Sequence, residues 1–404
     1  MAEAYRAIPL TEKVFWVGAI DWNLRDFHGY TTHRGSSYNA YLILADKITL
    51  IDTVKKPFKE ELLSRISSVI DPRRIEVIIS NHSEMDHSGC LEELIKELAP
   101  KEVYASPMGV KTLQEISPTL NEVRPVSDGQ KLSLGNMTLS FWETRMLHWP
   151  DSMISYLHEE EILFSQDAFG MHLASQERFA DEIEASILDF EAATYYANIL
   201  LPFSPLVLKL INRVASSGLT FRQIAPDHGP IWRRDVNKII EKYRKWAIQK
   251  PTMKAVIAYG TMWKSTEKMA RHIAEGLASK GVKVAVMSCD VFHRSDIIYE
   301  LLESGAFLVG TSTLNNHMLP AVADVLTYVK GLRPQNLVGA AFGSYGWSGE
   351  GALQANEILK EMKVEVGEEP IRVKHVPAAF DLLACRELGE RLAITLEKKV
   401  KENG

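Results

Sequence analysis

The sequence predicts two domains of mixed structure, an α+β unit over residues 1–250 and an α/β unit built on a doubly wound parallel sheet over 251–404. Three observations carry that prediction. At 404 residues the chain is too long for one ordinary core. From residue 254 onward, short apolar runs alternate with helical patterns, as parallel strands joined by crossover helices require. Before that, four separate β segments each end at a histidine or an aspartate.

Composition narrows the class. Hydrophobic content of 46% and charged content of 24% are those of a globular protein in water. No apolar run approaches the roughly 20 residues needed to span a bilayer. The first ten residues lack a basic segment followed by an apolar core, so no secretory signal is expected. A net charge of −6 without a basic block argues against nucleic acid. The three cysteines, Cys90, Cys289 and Cys385, are far apart and form no C-x-x-C, which excludes a disulfide framework and a thiolate metal site. A reducing cytoplasm is the expected setting.

In the first domain, Val14-Phe15-Trp16-Val17 begins a strand, and residues 21–30 form an aromatic, polar stretch without a period. Residues 38–44 and 48–52 predict a hairpin around Asp46-Lys47, followed by a helix over 57–70. The bounded apolar run 75–80 then predicts a buried strand that delivers Asn81-His82-Ser83-Glu84-Met85-Asp86-His87-Ser88-Gly89. Four potential metal ligands fall within six residues of that loop. If the loop is extended, His82, Glu84 and Asp86 point one way and His87 across, so one loop could serve two metals. Ser88-Gly89 before the periodic Leu91-Glu92-Glu93-Leu94-Ile95 predicts a helix start.

A solvated loop capping that helix would account for this stretch taken alone. The later strands make the difference. Residues 137–142 lead to His148, 162–165 to Asp167, and 223–226 to His228, with helices expected over 190–201 and 206–216 between the last two. Polar loop residues placed by chance would not recur at strand ends in this way.

The order His82-x-Glu84-x-Asp86-His87, then His148, Asp167 and His228, resembles the metallo-β-lactamase fold, an αββα sandwich with its site at one edge of two facing sheets. Zinc hydrolases of that fold carry a histidine where Glu84 stands. Glu84, with Leu-His-Trp-Pro-Asp-Ser-Met at 147–153 and the domain that follows, resembles the flavodiiron proteins, and within them the A-type flavoproteins, which lack a fused rubredoxin. The resemblance implies that His82, Glu84 and His148 bind one iron, that Asp86, His87 and His228 bind the other, and that Asp167 bridges them. It also implies that His28 and Tyr196 line the substrate side; by residue pattern alone Tyr195 and Tyr196 read as packing aromatics. His33 and His172 stay unassigned. An all-imidazole and carboxylate set suits iron, manganese or zinc better than copper, and the hard oxygen of Glu84 favours a ferric state.

The second domain begins after the breaker Gln249-Lys250-Pro251-Thr252. Its strands are expected at 254–259, 282–287, 306–310 and 337–342, with helices at 265–280, from 295, from 320, and onward to 399. Three loops fall at strand ends: Gly260-Thr261-Met262-Trp263-Lys264-Ser265-Thr266, Thr311-Ser312-Thr313-Leu314-Asn315-Asn316, and Gly343-Ser344-Tyr345-Gly346-Trp347-Ser348-Gly349. Such loops at a sheet's switch point, with hydroxyls and backbone N–H groups opening a helix, suit a nucleotide phosphate. The domain resembles flavodoxin, which implies FMN. Trp263 and Lys264 depart from the Thr-Gly usual in free flavodoxins, and the absence of Gly-x-Gly-x-x-Gly argues against a nicotinamide.

The resemblance implies an oxidoreductase that reduces dioxygen to water, nitric oxide to nitrous oxide, or both. Two electrons from the flavin and two from the iron pair match full reduction of dioxygen. It implies a head-to-tail homodimer or a dimer of dimers, fed by an external donor such as rubredoxin or reduced coenzyme F420. Two rivals are a zinc hydrolase of the same fold fused to a flavin carrier, and a non-enzymatic flavin carrier with a structural metal.

Overall fold

The computed structural model of the protein describes residues 5–367 and 369–403. By internal packing they form two units, one of residues up to Phe27, Thr32–Tyr195 and Pro205–Arg244, the other of His28–Thr31, Tyr196–Ser204 and the chain from Lys245 onward. The two short segments 28–31 and 196–204 pack with the second unit, which a single boundary in the sequence has no way to express.

In the first unit, alternation along the strands builds a layered structure. Tyr41, Ile43, Ile51, Val77 and Ile79 enter one core, while Leu42, Leu50 and Ile78 enter another, as successive residues of a strand must. The first core is shared with Leu139, Phe141, Met153, Leu157, Ile162 and Phe164 of a second sheet, so it lies between two facing sheets. The other core collects Leu62 and Ile66 of helix Lys59–Ser67 and Leu91, Leu94 and Leu98 of helix Leu91–Leu98 on the outer face of the first sheet. Ile154, Leu163 and Ile224, which alternate with the core residues of the second sheet, are also buried, and that sheet is covered on both faces too.

The first sheet runs in the order Ile8–Pro9, Val14–Trp16, Tyr41–Ile43, Thr49–Ile51, Val77–Ser80, Glu102–Ala105, Arg124–Pro125. The expected hairpin is present as the antiparallel pair Tyr41–Ile43 and Thr49–Ile51. The second sheet runs Lys131–Ser133, Thr138–Glu143, Met153–Leu157, Ile162–Gln166, Gln223–Pro226. Met153–Leu157 is a strand that the sequence reading did not name; it is fully buried between two neighbours.

The helix expected over 190–201 begins earlier, as Ala185–Tyr195, and passes through a π turn at Tyr196–Leu200 and a 3-10 turn at Leu201–Phe203 into Ser204–Ser216. Pro202 supplies the break, since it removes a backbone donor. By length and composition this run, Ala185–Ser216, is apolar enough to cross a membrane, against the expectation of no such stretch. Core helices pass the same test, and this one buries Glu191 against Arg34 at 2.7 Å.

In the second unit the sheet order is Lys283–Ser288, Lys254–Tyr259, Ala306–Leu314, Val338–Tyr345, with Glu365–Val366 and Ile371–Lys374 both flanking the last. These pairs are all parallel. The chain moves one way from Lys254–Tyr259 and then the other, so the switch point lies between that strand and Ala306–Leu314. Strand Ile371–Lys374 was not anticipated, where only helices were expected.

Candidate functional site

The ligand loop is held from both sheets. Asn81 donates its N–H to Asp52 Oδ1 at 2.6 Å and its side-chain amide to Asp52 Oδ2 at 2.9 Å. Its carbonyl oxygens accept from the Met153 N–H at 3.0 Å and from Ser155 Oγ at 2.5 Å. The loop is not extended throughout, as the alternation argument assumed. Glu84 stands at the start of a helical turn, Met85–Ser88, which is closed by the Ser88 N–H to Glu84 carbonyl bond of 2.8 Å. The ligands therefore divide between Glu84 and Asp86: His82 and Glu84 face one way, Asp86 and His87 the other.

Two clusters result. In each, the potential ligand atoms lie within 4.8 Å of one another: His82, Glu84, His148 and Asp167 in the first, Asp86, His87 and His228 in the second. Asp167 spans both. Its Oδ2 lies 3.3 Å from His82 Nε2 and 3.1 Å from His148 Nε2. Its Oδ1 lies 3.3 Å from His87 Nε2 and 3.4 Å from His228 Nε2. A register shift between Phe164 and Gln166, at the end of the strand, precedes it. The structure thus brings all seven expected metal-ligating residues together.

Outer partners orient the rings. His82 Nδ1 is 3.0 Å from Asp151 Oδ2, which also accepts the Ser83 N–H at 2.6 Å. His228 Nδ1 donates to the Ser37 carbonyl at 2.7 Å. Each bond places the proton on Nδ1 and leaves the Nε2 lone pair directed into its cluster.

Burial alone would push the Glu84, Asp86 and Asp167 carboxyls up and the His82, His87 and His148 rings down. Their mutual attraction reverses both: the carboxyls are held low, and His148 is raised to about 9. Both oxygens of Asp86 and of Asp167, and both ring nitrogens of His87, are buried without a hydrogen bond. In the neutral form that binds metal, the four imidazoles leave the three carboxylates with a charge of −3, which metal cations would balance in place of the ring protons. This donor set fits a pair of iron ions, hard enough for the carboxylates and borderline enough for the imidazoles.

Neither His28 nor Tyr196 belongs to these clusters. His28 is exposed, at a left-handed backbone position (φ +54°) in the segment 28–31. Tyr196 directs its hydroxyl to Ser204 Oγ at 3.0 Å and its ring to Trp246 at 5.4 Å. Its neighbour Tyr195 packs instead against His172 at 5.2 Å and His228 at 6.2 Å. His172, left unassigned from sequence, is buried 4.5 Å from the His228 ring, and its Nδ1 is 2.8 Å from Ser36 Oγ. Burial and the neighbouring His228 hold its pKa well below the usual histidine value, so it stays neutral. His33 packs on Phe190 at 5.4 Å.

At the end of the parallel sheet, one hydroxyl from each of three loops converges. Thr266 Oγ1 is 3.1 Å from Ser312 Oγ and 3.0 Å from Ser344 Oγ, and the two serines are 3.3 Å apart. Helix Ser265–Ser279 starts there from Lys264 in a left-handed conformation, with no side chain capping its first N–H groups. Thr261 Oγ1 is buried without a hydrogen-bond partner, and a Cβ on Gly346 would meet open space. Uncapped N–H groups, an unpaired hydroxyl and open room suit a phosphorylated ligand such as FMN. Trp263 and Trp347 stand 89% and 83% exposed beside it, as free aromatic faces.

The comparisons with known proteins agree with this geometry. The family model for the ODP family beta lactamase matches residues 37–229, and that for flavodoxin matches 257–389. The chain is 44% identical over 390 residues to a nitric oxide reductase of Moorella thermoacetica, covering 96% of this chain and 98% of that one. It is 45% identical over 388 residues to the rubredoxin-oxygen oxidoreductase of Megalodesulfovibrio gigas, covering 95% and 96%. A coenzyme F420H2 oxidase of Methanothermobacter marburgensis is 40% identical over 400 residues, with 96% and 98% covered. Among solved structures, the rubredoxin oxygen:oxidoreductase of Desulfovibrio gigas superposes with a TM-score of 0.96 at 44% identity, covering 98% of this chain and 100% of that one. A flavodiiron protein from Giardia intestinalis gives 0.95 at 32% identity, covering 99% and 98%.

Proposed function

The chain belongs to the flavodiiron proteins, and on that premise we propose that it reduces dioxygen, nitric oxide or both at its paired ligand clusters, with electrons passed through FMN from an external donor. The observation that carries this reading is Asp167, which offers one carboxylate oxygen to each cluster, in a chain that also has a flavodoxin sheet edge. When bound, the irons supply Lewis-acid and redox chemistry at the gas and FMN supplies electrons.

The protein's own groups do the rest. His82, Glu84 and His148 would hold one iron, Asp86, His87 and His228 the other, with Asp167 between them. Asp151 and the Ser37 carbonyl hold two of the imidazoles with their Nε2 atoms directed inward. Glu84, where hydrolases of this fold carry histidine, adds a negative oxygen donor that favours the oxidised metal over zinc. The buried walls exclude bulk water, so charges in the site act at low dielectric. By joining the two clusters, Asp167 would keep two small molecules side by side once both were loaded, a gain from proximity. Tyr195 and His172 border this space from the His228 side, and Tyr195 is better placed than Tyr196 to assist a bound gas.

The names of relatives and the chemistry of the surface support a donor and an assembly. Relatives named for rubredoxin and for F420H2 support a donor supplied from outside the chain. The flavin edge exposes Met262, Trp263, Val291, Trp347, Val376 and Phe380, and the metal loops expose Met85, between two ligands, and Met146, two residues before His148. Apolar groups at both redox sites support a head-to-tail homodimer, or a dimer of dimers, in which each flavin edge meets the other chain's metal loops. Sedimentation would read this directly as twice or four times the chain mass. Cys90, Cys289 and Cys385 are all free thiols, which supports a reducing cytoplasm.

The test is anaerobic. The iron-loaded protein is reduced photochemically, then given a limiting pulse of dioxygen or nitric oxide while flavin absorbance and gas are followed together. Rapid flavin reoxidation to water or nitrous oxide, abolished in His82→Ala, is expected. Slow reoxidation that releases hydrogen peroxide and is indifferent to His82→Ala would overturn the reading.

A further inference from the structure

Asp227 is the anomaly of the metal region. Its backbone is fixed on both sides, its N–H donating to the Gln166 carbonyl at 2.9 Å and its carbonyl accepting from the Asn39 N–H at 2.7 Å. Its side chain is fully buried, yet neither carboxylate oxygen has a hydrogen-bond partner. A buried carboxylate in that condition is costly. Facing it is a second group in the same condition: His87 Nδ1, also without a hydrogen bond, lies 3.7 Å from Asp227 Oδ2. That separation is too long for a hydrogen bond and too short to hold a water between.

His82 has Asp151 behind it and His228 has the Ser37 carbonyl, each at 3.0 Å or less. Among the described residues, His87 Nδ1 has no hydrogen bond, and Asp227 is the carboxylate that faces it within 4 Å. We propose that Asp227 is the positioning residue for His87, and that the pair closes when the second cluster is loaded. A shift of less than about 1 Å brings Nδ1–H to hydrogen-bond distance from the carboxylate. The proton is then fixed on Nδ1, and the Nε2 lone pair faces Asp86 Oδ1 and Asp167 Oδ1, each 3.3 Å away. Metal at Nε2 makes the Nδ1–H a better donor, so loading and closure reinforce each other. Asp227 therefore acts on one metal position and Asp151 on the other.

This rests on reading the two clusters as a two-metal centre, and the experiment separates the two claims. Metal-free protein is titrated anaerobically with ferrous iron, and in parallel with cobalt(II) as an absorption probe, for the wild type, Asp227→Ala, Asp227→Asn, His87→Ala and the His87→Ala/Asp227→Ala double variant. The wild type takes up two metals. Asp227→Ala binds one as before and the other about 10- to 100-fold more weakly, with the cobalt spectrum of that position altered. Asp227→Asn, whose amide oxygen can accept the same N–H, recovers part of the affinity. In the His87→Ala background, Asp227→Ala adds nothing. The metal-free Asp227→Ala protein melts no lower than wild type, because the carboxylate removed had no partner. Unchanged affinities, equal weakening at both positions, or a further loss in the double variant would each overturn the proposal. A wild type that binds fewer than two metals would overturn the two-metal reading beneath it.

Discussion

The metal clusters and the flavin edge solve opposite problems with similar raw material, polar residues delivered at strand ends. In the clusters every ligand except His148 is buried, and atoms with no hydrogen bond converge within a few ångströms. At the flavin edge the hydroxyls of Thr266, Ser312 and Ser344 satisfy one another, while the aromatic residues around them face solvent. The first region is a buried pocket of carboxylates and imidazoles suited to cations; the second is a more open edge whose uncapped helix N–H groups and unpaired Thr261 hydroxyl suit a cofactor phosphate. Burial separates the two. A metal pair needs fixed ligands in low dielectric, whereas a flavin that exchanges electrons with other molecules must keep an edge within their reach.

The two regions are expected to fail independently. Asp167→Ala, which removes the one carboxylate shared by both clusters, is expected to lower iron from two per chain to nearly none and to reduce gas consumption by more than about 100-fold. Flavin content should stay at the wild-type value; parallel loss of flavin absorbance would break the comparison.

Chelation of the metals should lower the melting temperature more than removal of FMN does. Metal at a hundredfold excess over its dissociation constant contributes about 2.7 kcal/mol to folding. The metal-free pocket also keeps unpaired buried carboxylates, whereas the empty flavin edge keeps its hydroxyl contacts. Calorimetry on the two stripped forms checks the order.

Smaller effects sharpen the picture within the second region. Ser344→Ala removes one of three converging hydroxyls and should weaken FMN binding about tenfold, the value of a hydrogen bond to a charged group, with iron content untouched. Trp347→Ala, at an exposed face, should weaken it only a few-fold while shifting the flavin absorbance bands. Fluorescence titration of FMN into the stripped protein measures both.

Much of the metal site was legible in the sequence because its ligands occupy strand ends, and strands announce themselves by period and length. His82, Glu84, Asp86, His87, His148, Asp167 and His228 could be named without coordinates, and so could the three hydroxyl-bearing loops. Elements with weak local signals escaped. Ile371–Lys374 is an Ile-Arg-Val-Lys edge strand in which only Val373 is buried. Met153–Leu157 starts just past the ligand motif, after the turn at Pro150-Asp151, where the metal-binding pattern drew the reading away from its strand signal. Tyr195 and Tyr196 are adjacent tyrosines whose roles diverge where the helix widens into a π turn, a change of face no periodicity announces.

By itself, then, the sequence determined which residue types could bind metal and phosphate, and which strands would deliver them, since those follow from local pattern. Local pattern did not fix how they divide, since an extended loop would put Glu84 and Asp86 on one side; the family resemblance implied the division and the tertiary structure shows its cause. The helical turn at Met85 sends Glu84 and Asp86 to different clusters, and Asp167 reaches both because the second sheet faces the first. Asp151 and Asp227 stand behind His82 and His87 for the same reason: residues distant in the chain meet only when the two sheets close on their common core.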